Sequence, residues 1–220
     1  VTSTQTVNTP SIHIGTKGPY IDELILSVMK DVQTELLAFQ KGDVHMTMRP
    51  LGQVDIDVVK AMPGRDVILT PKGIYGQWFL PNLRNEPLSN HDARKALFGY
   101  SLDRNDIASK IFGSAAQGEP GFLHQAYGEW APSPETLPKY TENLDMAKKY
   151  LDEAGYKDSN GDGLRELSDG SPIKLKIITP SNTPDDTKLA EIIRGKYKQI
   201  GIDSEINSFA MAEFFNHLVN

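Results

Sequence analysis

The stretch DSNGDGLREL, residues 158–167, carries the densest set of oxygen donors in this chain. Asp158, Asn160 and Asp162 stand at alternate positions ahead of Gly163, and Asp169 falls where the twelfth residue of an EF-hand loop would sit. Calcium is a hard cation that takes several oxygen ligands converging on one point, and a tight loop with donors at every second residue can supply them. The twelfth position normally carries glutamate, which grips the ion with both oxygens. Aspartate there is one methylene shorter and weakens or abolishes the grip. The same residues also suit a turn with no ion, because Asp and Asn side chains bond nearby backbone and Gly161 and Gly163 accept positive φ. The segment is therefore read as a turn first, and second as a weak calcium site formed by Asp158, Asn160, Asp162 and Asp169.

Other chemistry is less marked. The chain has no cysteine, which excludes disulfides, thiol catalysis and zinc-cysteine sites. His13, His45, His91, His124 and His217 include no pair four residues apart, so no helix carries a ready-made two-histidine metal face. Nucleophile elbow, P-loop, dinucleotide glycine fingerprint and zinc-protease helix are all missing, and nothing positive points to an enzyme. A calcium-regulated or protein-interaction module is the alternative class, but EF-hand-like loops work in pairs and a single candidate is present.

The elements that must position these residues alternate in type. The chain has 220 residues, 39% hydrophobic and 24% charged, with a formal charge of -6. That is globular composition, and without a long basic run it argues against nucleic acid or anionic lipid as partner. No window approaches the 18 apolar residues of a membrane span. Leu24, Leu26 and Val28 alternate as a strand; Leu36, Leu37 and Phe39 cluster as a helix closed by Gly42; Val44, Met46 and Met48 alternate again. Val54, Val58 and Val59 mark a short helix ended by Pro63-Gly64, RDVILT reads as a strand, and a further strand is expected from Tyr75 to Pro81.

Two helices follow, divided at Ser101, the first capped by Ser89 or Asn90 and the second by Asp103. Residues 114–142 form a long Pro- and Gly-rich surface loop, of the kind that is usually functional or draped over a neighbour. Leu144, Ala147, Tyr150 and Leu151 share one helical face, stopped by Gly155. After the acidic loop come a strand through Ile173, Leu175 and Ile177, a helix through Leu189, Ile192, Ile193 and Tyr197, a strand over IDSEIN and a last helix over AMAEFFNHLVN. Alternating strands and helices specify an α/β fold.

Four stretches in this order resemble the family 5 extracellular solute-binding proteins of ABC importers, the dipeptide, oligopeptide and nickel binders. They are GPYIDEL with AFQKGDVHM, LSNHDARKALFGYSLDRNDI, MAKKYLDEAGYKDSNGDGLREL and IRGKYKQIGIDSEIN. In the second, Arg94, Ala96, Leu97, Asp103 and Arg104 fill the places of the family's helix-turn-helix words, with Ala93 where valine is usual. The resemblance implies a periplasmic-binding-protein-like (type II) lobe with a mixed sheet flanked by helices. It implies that residues 1–220 are one lobe, the second, of a larger two-lobed protein, and that the segment holding the peptide's amino terminus lies beyond the last helix.

By the same resemblance Tyr75, Trp78 and Asn82 lie on a segment that faces the ligand cleft. The expected function is capture of a solute, a dipeptide or oligopeptide first, and its delivery to the transmembrane subunits of a permease. The protein would work outside the cytoplasm, in the periplasm or lipid-anchored at the cell surface, as a monomer, with no cofactor unless calcium binds. A lone lobe is expected to fold and to bind its solute weakly or not at all. On composition alone, Trp78 and Phe79 would more often be packing aromatics than ligand contacts.

Overall fold

The computed structural model describes residues 23–29, 31–47, 51, 53–65, 67, 76–113, 116–119 and 121–219. Its centre is a βαβ unit. Strand β1 (Lys174–Pro180) pairs in parallel with β2 (Asp203–Phe209), in a register that sets Ile177 opposite Ile206. Parallel neighbours need a long crossover, here the helix Pro184–Gln199. That helix opens on Pro184 followed by Asp185 and Asp186, a first turn suited to fixed φ and to acidic side chains near the positive end of the dipole. Ala190, Ile193 and Tyr197 of the crossover helix are buried.

The other regular elements are helices. In chain order they are α1 (Val32–Lys41), α2 (Gln53–Lys60), α3 (His91–Arg94), α4 (Arg104–Phe112), α5 (Leu144–Glu153), the crossover helix as α6, and α7 (Met211–Val219). Of these, α3, α4, α5 and α6 close this core. Asn90 caps α3 by accepting from the backbone N–H groups of Asp92 and Ala93, and Asp103 caps α4 by accepting from Asp106. Between them α3 widens into a π-helical turn, Lys95–Tyr100. It ends where the Ser101 backbone N–H bonds Ala96 at 3.0 Å and the buried Ser101 hydroxyl bonds the Leu97 carbonyl at 2.6 Å. Ala93, Ala96 and Ala147 are fully buried, and side chains this small let α3 and α5 approach closely. Leu97, Leu151, Ile173 and Ile202 fill the space that remains.

The long loop is held against this core. Arg104 donates to the Glu119 carbonyl at 3.1 Å and to the Phe98 carbonyl at 3.2 Å. Gly118 lies so close to α4 that a Cβ there would stand 2.7 Å from the Arg104 backbone carbon, so the contact needs glycine. A 3-10 turn, Gln125–Trp130, shapes the middle of the loop, and Glu142 at its end pairs with Lys196 of α6.

Among the described residues, the strands expected nearer the N-terminus do not form. Residues 23–29 have no regular structure, and Leu24, Leu26 and Val28 are exposed. Val44 and Met46 are irregular too, as are residues 76–81. Alternation makes a strand only where a second strand takes up the backbone hydrogen bonds. Among the described residues that pairing exists between β1 and β2 and, as one antiparallel bridge, between Glu166 and Pro172. Met48, Tyr75 and most of RDVILT lie outside the described residues. Helix α2 forms as expected but buries Ile56 and Val59 and exposes Val54 and Val58: both pairs have helical spacing, and packing of Val59 against Leu36 and Phe39 decides which face turns inward. With Leu36 and Phe39 of α1, Val59 makes a small second core.

Candidate functional site

Two surface regions carry the side chains singled out by sequence. The first is an aromatic ledge beside α6. Residues 76–82 run without regular structure, tied to the start of α6 where Gln77 Nε2 donates to Asp186 Oδ1 at 2.6 Å. Trp78 is 57% exposed and its ring lies 5.7 Å from that of Phe122, itself 72% exposed. The neighbouring Phe79, also exposed, meets Phe98 with ring centres 6.2 Å apart. Exposed aromatic pairs on a globular surface hold apolar area that a ligand can cover, while their rigidity keeps the entropic cost of ordering low.

Asn82 is also exposed, but its Oδ1 accepts from the backbone N–H and the Nε of Arg84 at 3.1 and 3.2 Å. It shapes the turn after the ledge. Tyr75 lies outside the described residues. Sequence reasoning missed Phe122, the ring that completes the ledge. Its signal was an aromatic residue in the middle of a Pro- and Gly-rich loop, where burial in a core is hard to arrange.

The second region is the acidic loop between α5 and β1. Asp158 spans the turn, Oδ1 accepting from Gly161 at 2.8 Å and Oδ2 from Gly163 at 2.9 Å. Asn160 Oδ1 accepts from the Asp162 N–H, and Asp162 Oδ1 from the Leu164 N–H, both at 2.8 Å. Gly161 and Gly163 have φ of 82° and 90°, as the turn requires. Arg165 fixes the loop from beneath: it is buried, and its guanidinium donates to the carbonyls of Ile200 and Tyr156 and to Asp152.

One carboxylate oxygen from each of Asp158, Asp162 and Glu166 lies within 4.8 Å of the others. Asp169 is not part of this group. Its Oδ1 accepts from the hydroxyl and the backbone N–H of Ser171, and those two bonds hold its carboxyl below the usual aspartate range. Glu166, at the ninth position of the loop, is the carboxylate that the sequence reading passed over in favour of the twelfth.

The basic side chains near α3 are engaged within the fold. Arg94 donates to the Leu88 and Ser89 carbonyls, and Lys95 to Asp92, which holds the Asp92 carboxyl down and the Lys95 ammonium up. His124 accepts from the Ala126 N–H through Nδ1 and faces Glu119 through Nε2 at 3.2 Å. Each of these contacts organises backbone or loop. Among the described residues no helix is long and apolar enough to cross a membrane.

Comparison with known proteins fits this architecture. Residues 13–217 match the middle region of the bacterial extracellular solute-binding proteins, family 5. The chain is 27% identical over 188 residues to the oligopeptide-binding protein AppA of Bacillus subtilis, covering 84% of this chain and 33% of that one. It is 30% identical over 200 residues to the oligopeptide-binding protein OppA of the same organism, covering 86% and 33%. The chain thus spans about a third of the length of these relatives. The structure of AppA in complex with a nonapeptide superposes with a TM-score of 0.73 at 21% identity, covering 86% of this chain and 36% of that one. NikA from Brucella suis, in complex with Fe(III)-EDTA, superposes with a TM-score of 0.67 at 17% identity over 87% and 38%. The fold is that of a type II periplasmic binding protein, and the chain belongs to the family 5 bacterial extracellular solute-binding proteins.

Proposed function

We propose that this chain is one lobe of the solute-binding component of an ABC importer, and that the solute is a peptide. The observation that carries this reading is the family match over residues 13–217, with relatives at 27% and 30% identity that are oligopeptide-binding proteins. The ledge of Trp78 and Phe122 supports it by offering an exposed apolar surface next to the N-terminus of α6.

The mechanism is binding without chemistry. The solute settles between this lobe and a second one, hinge closure removes it from water, and the closed form is recognised by permease subunits. Aromatic faces suit a carrier of varied peptides, since they cover apolar side chains without demanding one sequence. Each ring buries on the order of 150–250 Å² when covered. Capture takes place outside the cytoplasm, in the periplasm or on a lipid-anchored protein, and no catalytic step is invoked.

Isothermal titration of the whole protein that carries this chain, with alanine peptides of increasing length, tests the reading. Binding is expected, weakened roughly tenfold or more by Trp78→Ala and by Phe122→Ala, in keeping with the loss of one well-buried aromatic contact. Peptide binding that is absent in the parent protein would overturn the proposal.

A further inference from the structure

Glu166 is hard to explain as part of a turn. It is 7% exposed; its Oε2 accepts from the Ser159 N–H at 2.8 Å, whereas its Oε1 is buried with no hydrogen-bond partner among the described residues. A buried carboxylate oxygen without a partner is costly, and a position beside two further carboxylates raises that cost by like-charge repulsion. The adjacent guanidinium does not relieve it: Arg165 is occupied by Ile200, Tyr156 and Asp152. Asn160 Nδ2 donates to Asp162 Oδ2 at 3.1 Å, so one amide already does part of what a cation would do for the group.

We infer that Asp158, Asp162 and Glu166, with Asn160 between them, form a calcium site in which Glu166 replaces Asp169 as the closing carboxylate. Calcium binds oxygen at about 2.3–2.6 Å, so ligands on opposite sides of one ion stand about 4.6–5.2 Å apart. Three carboxylate oxygens all within 4.8 Å of one another fit around a single ion of that size. An ion held by the three carboxylates would set a positive charge beside the buried Glu166 carboxylate, one of whose oxygens belongs to the group.

Its binding would also tighten the centre of the fold. The Arg165 N–H bonds the Gly201 carbonyl at 2.8 Å, and the Ile173 N–H bonds the Arg165 carbonyl at 2.7 Å. The loop is thereby stitched to both the α6–β2 turn and the entry of β1, and ordering it stabilises the βαβ unit rather than an isolated surface feature.

The test is thermal unfolding after removal of metal with EGTA, then with about 5 mM calcium chloride or magnesium chloride added, alongside calorimetric titration of calcium. With dissociation constants in the 0.1–1 mM range of extracellular modules, calcium is expected to raise Tm by roughly 2–9 °C. The shift should disappear in Glu166→Gln and persist in Asp169→Asn. If Glu166→Gln fails to fold, Asp162→Asn, at an exposed position, is expected to lose the shift in the same way. A Tm indifferent to calcium would overturn the assignment. So would a shift that survives Glu166→Gln and vanishes in Asp169→Asn, which would return the site to the twelfth position.

Discussion

The segment from His91 to Phe209 and the pair α1 and α2 are built on different terms. The first shares one core of 16 buried apolar residues, running from Ala93 to Ile202 among the described residues. The second rests on Leu36, Phe39 and Val59, with a few half-buried neighbours. Both have well-formed helices; in the second, Asp31 caps the start of α1 and Gly42 closes it as expected. The contrast teaches that capping and periodicity decide where a helix lies, while stability depends on how many elements bury their faces together. It also sets the ledge in context, because Trp78 is exposed where the first region meets solvent and adds little to either core.

The sharpest way to break the comparison is to cut equivalent leucines from the two cores. Leu97→Ala removes a fully buried side chain from the large core and is expected to cost about 2–5 kcal/mol in urea unfolding. Leu36→Ala should cost roughly 1–2 kcal/mol, since the smaller core can collapse around the loss. Equal costs would mean that the two regions unfold as one unit. Hydrogen exchange sharpens the same point: amides of α1 (32–41) and α2 (53–60) are expected to exchange through local opening, before those of 147–151, 173–179 and 190–202.

A smaller effect is expected at the ledge. Trp78→Ala should leave stability within about 0.5 kcal/mol of the parent, as for other exposed positions, while impairing solute binding. A large loss of stability would show that Trp78 is a packing residue after all.

The smallest effect concerns the Tyr197 hydroxyl, which is buried without a hydrogen-bond partner among the described residues. Burial pushes its phenol well above the ordinary tyrosine value of 10.0, and Tyr156 moves the same way for the same reason. The unfolded chain releases these protons near pH 10, whereas the folded chain holds them. Stability is therefore complete below that pH and is lost as pH rises from there toward the folded values. Tyr197→Phe is expected to reduce the alkaline loss seen in urea midpoints between about pH 9 and 11. At neutral pH it should change stability by less than about 1 kcal/mol, because it removes an unpaired polar group.

Much of the His91–Phe209 region was legible in the sequence. Asn90, Asp103 and Gly155 stand where helix ends need them, and the alternation through Ile173 and Ile177 marks a strand that does form. Legibility failed where a contact distant in sequence decides the outcome. Leu24, Leu26 and Val28 carry strand alternation without a partner strand among the described residues, and α2 selects Ile56 for its inward face in place of Val54. Local spacing cannot report either choice.

At the candidate sites the same division holds. Asp158, Asn160 and Asp162 make the tight turn that their spacing implies, but Ser171 draws Asp169 away and the buried Glu166 stands in the group. Phe122 meets Trp78 across a long separation in sequence, and no periodicity links them.

That this lobe serves a peptide carrier is a proposal that one measurement can test. Native mass spectrometry of the protein as its own cell produces it, with the small molecules released on denaturation weighed separately, tests that most directly. Peptides of mixed sequence recovered with the protein are the expected result. A single non-peptide solute, or protein that remains empty even after incubation with a peptide digest, would contradict it.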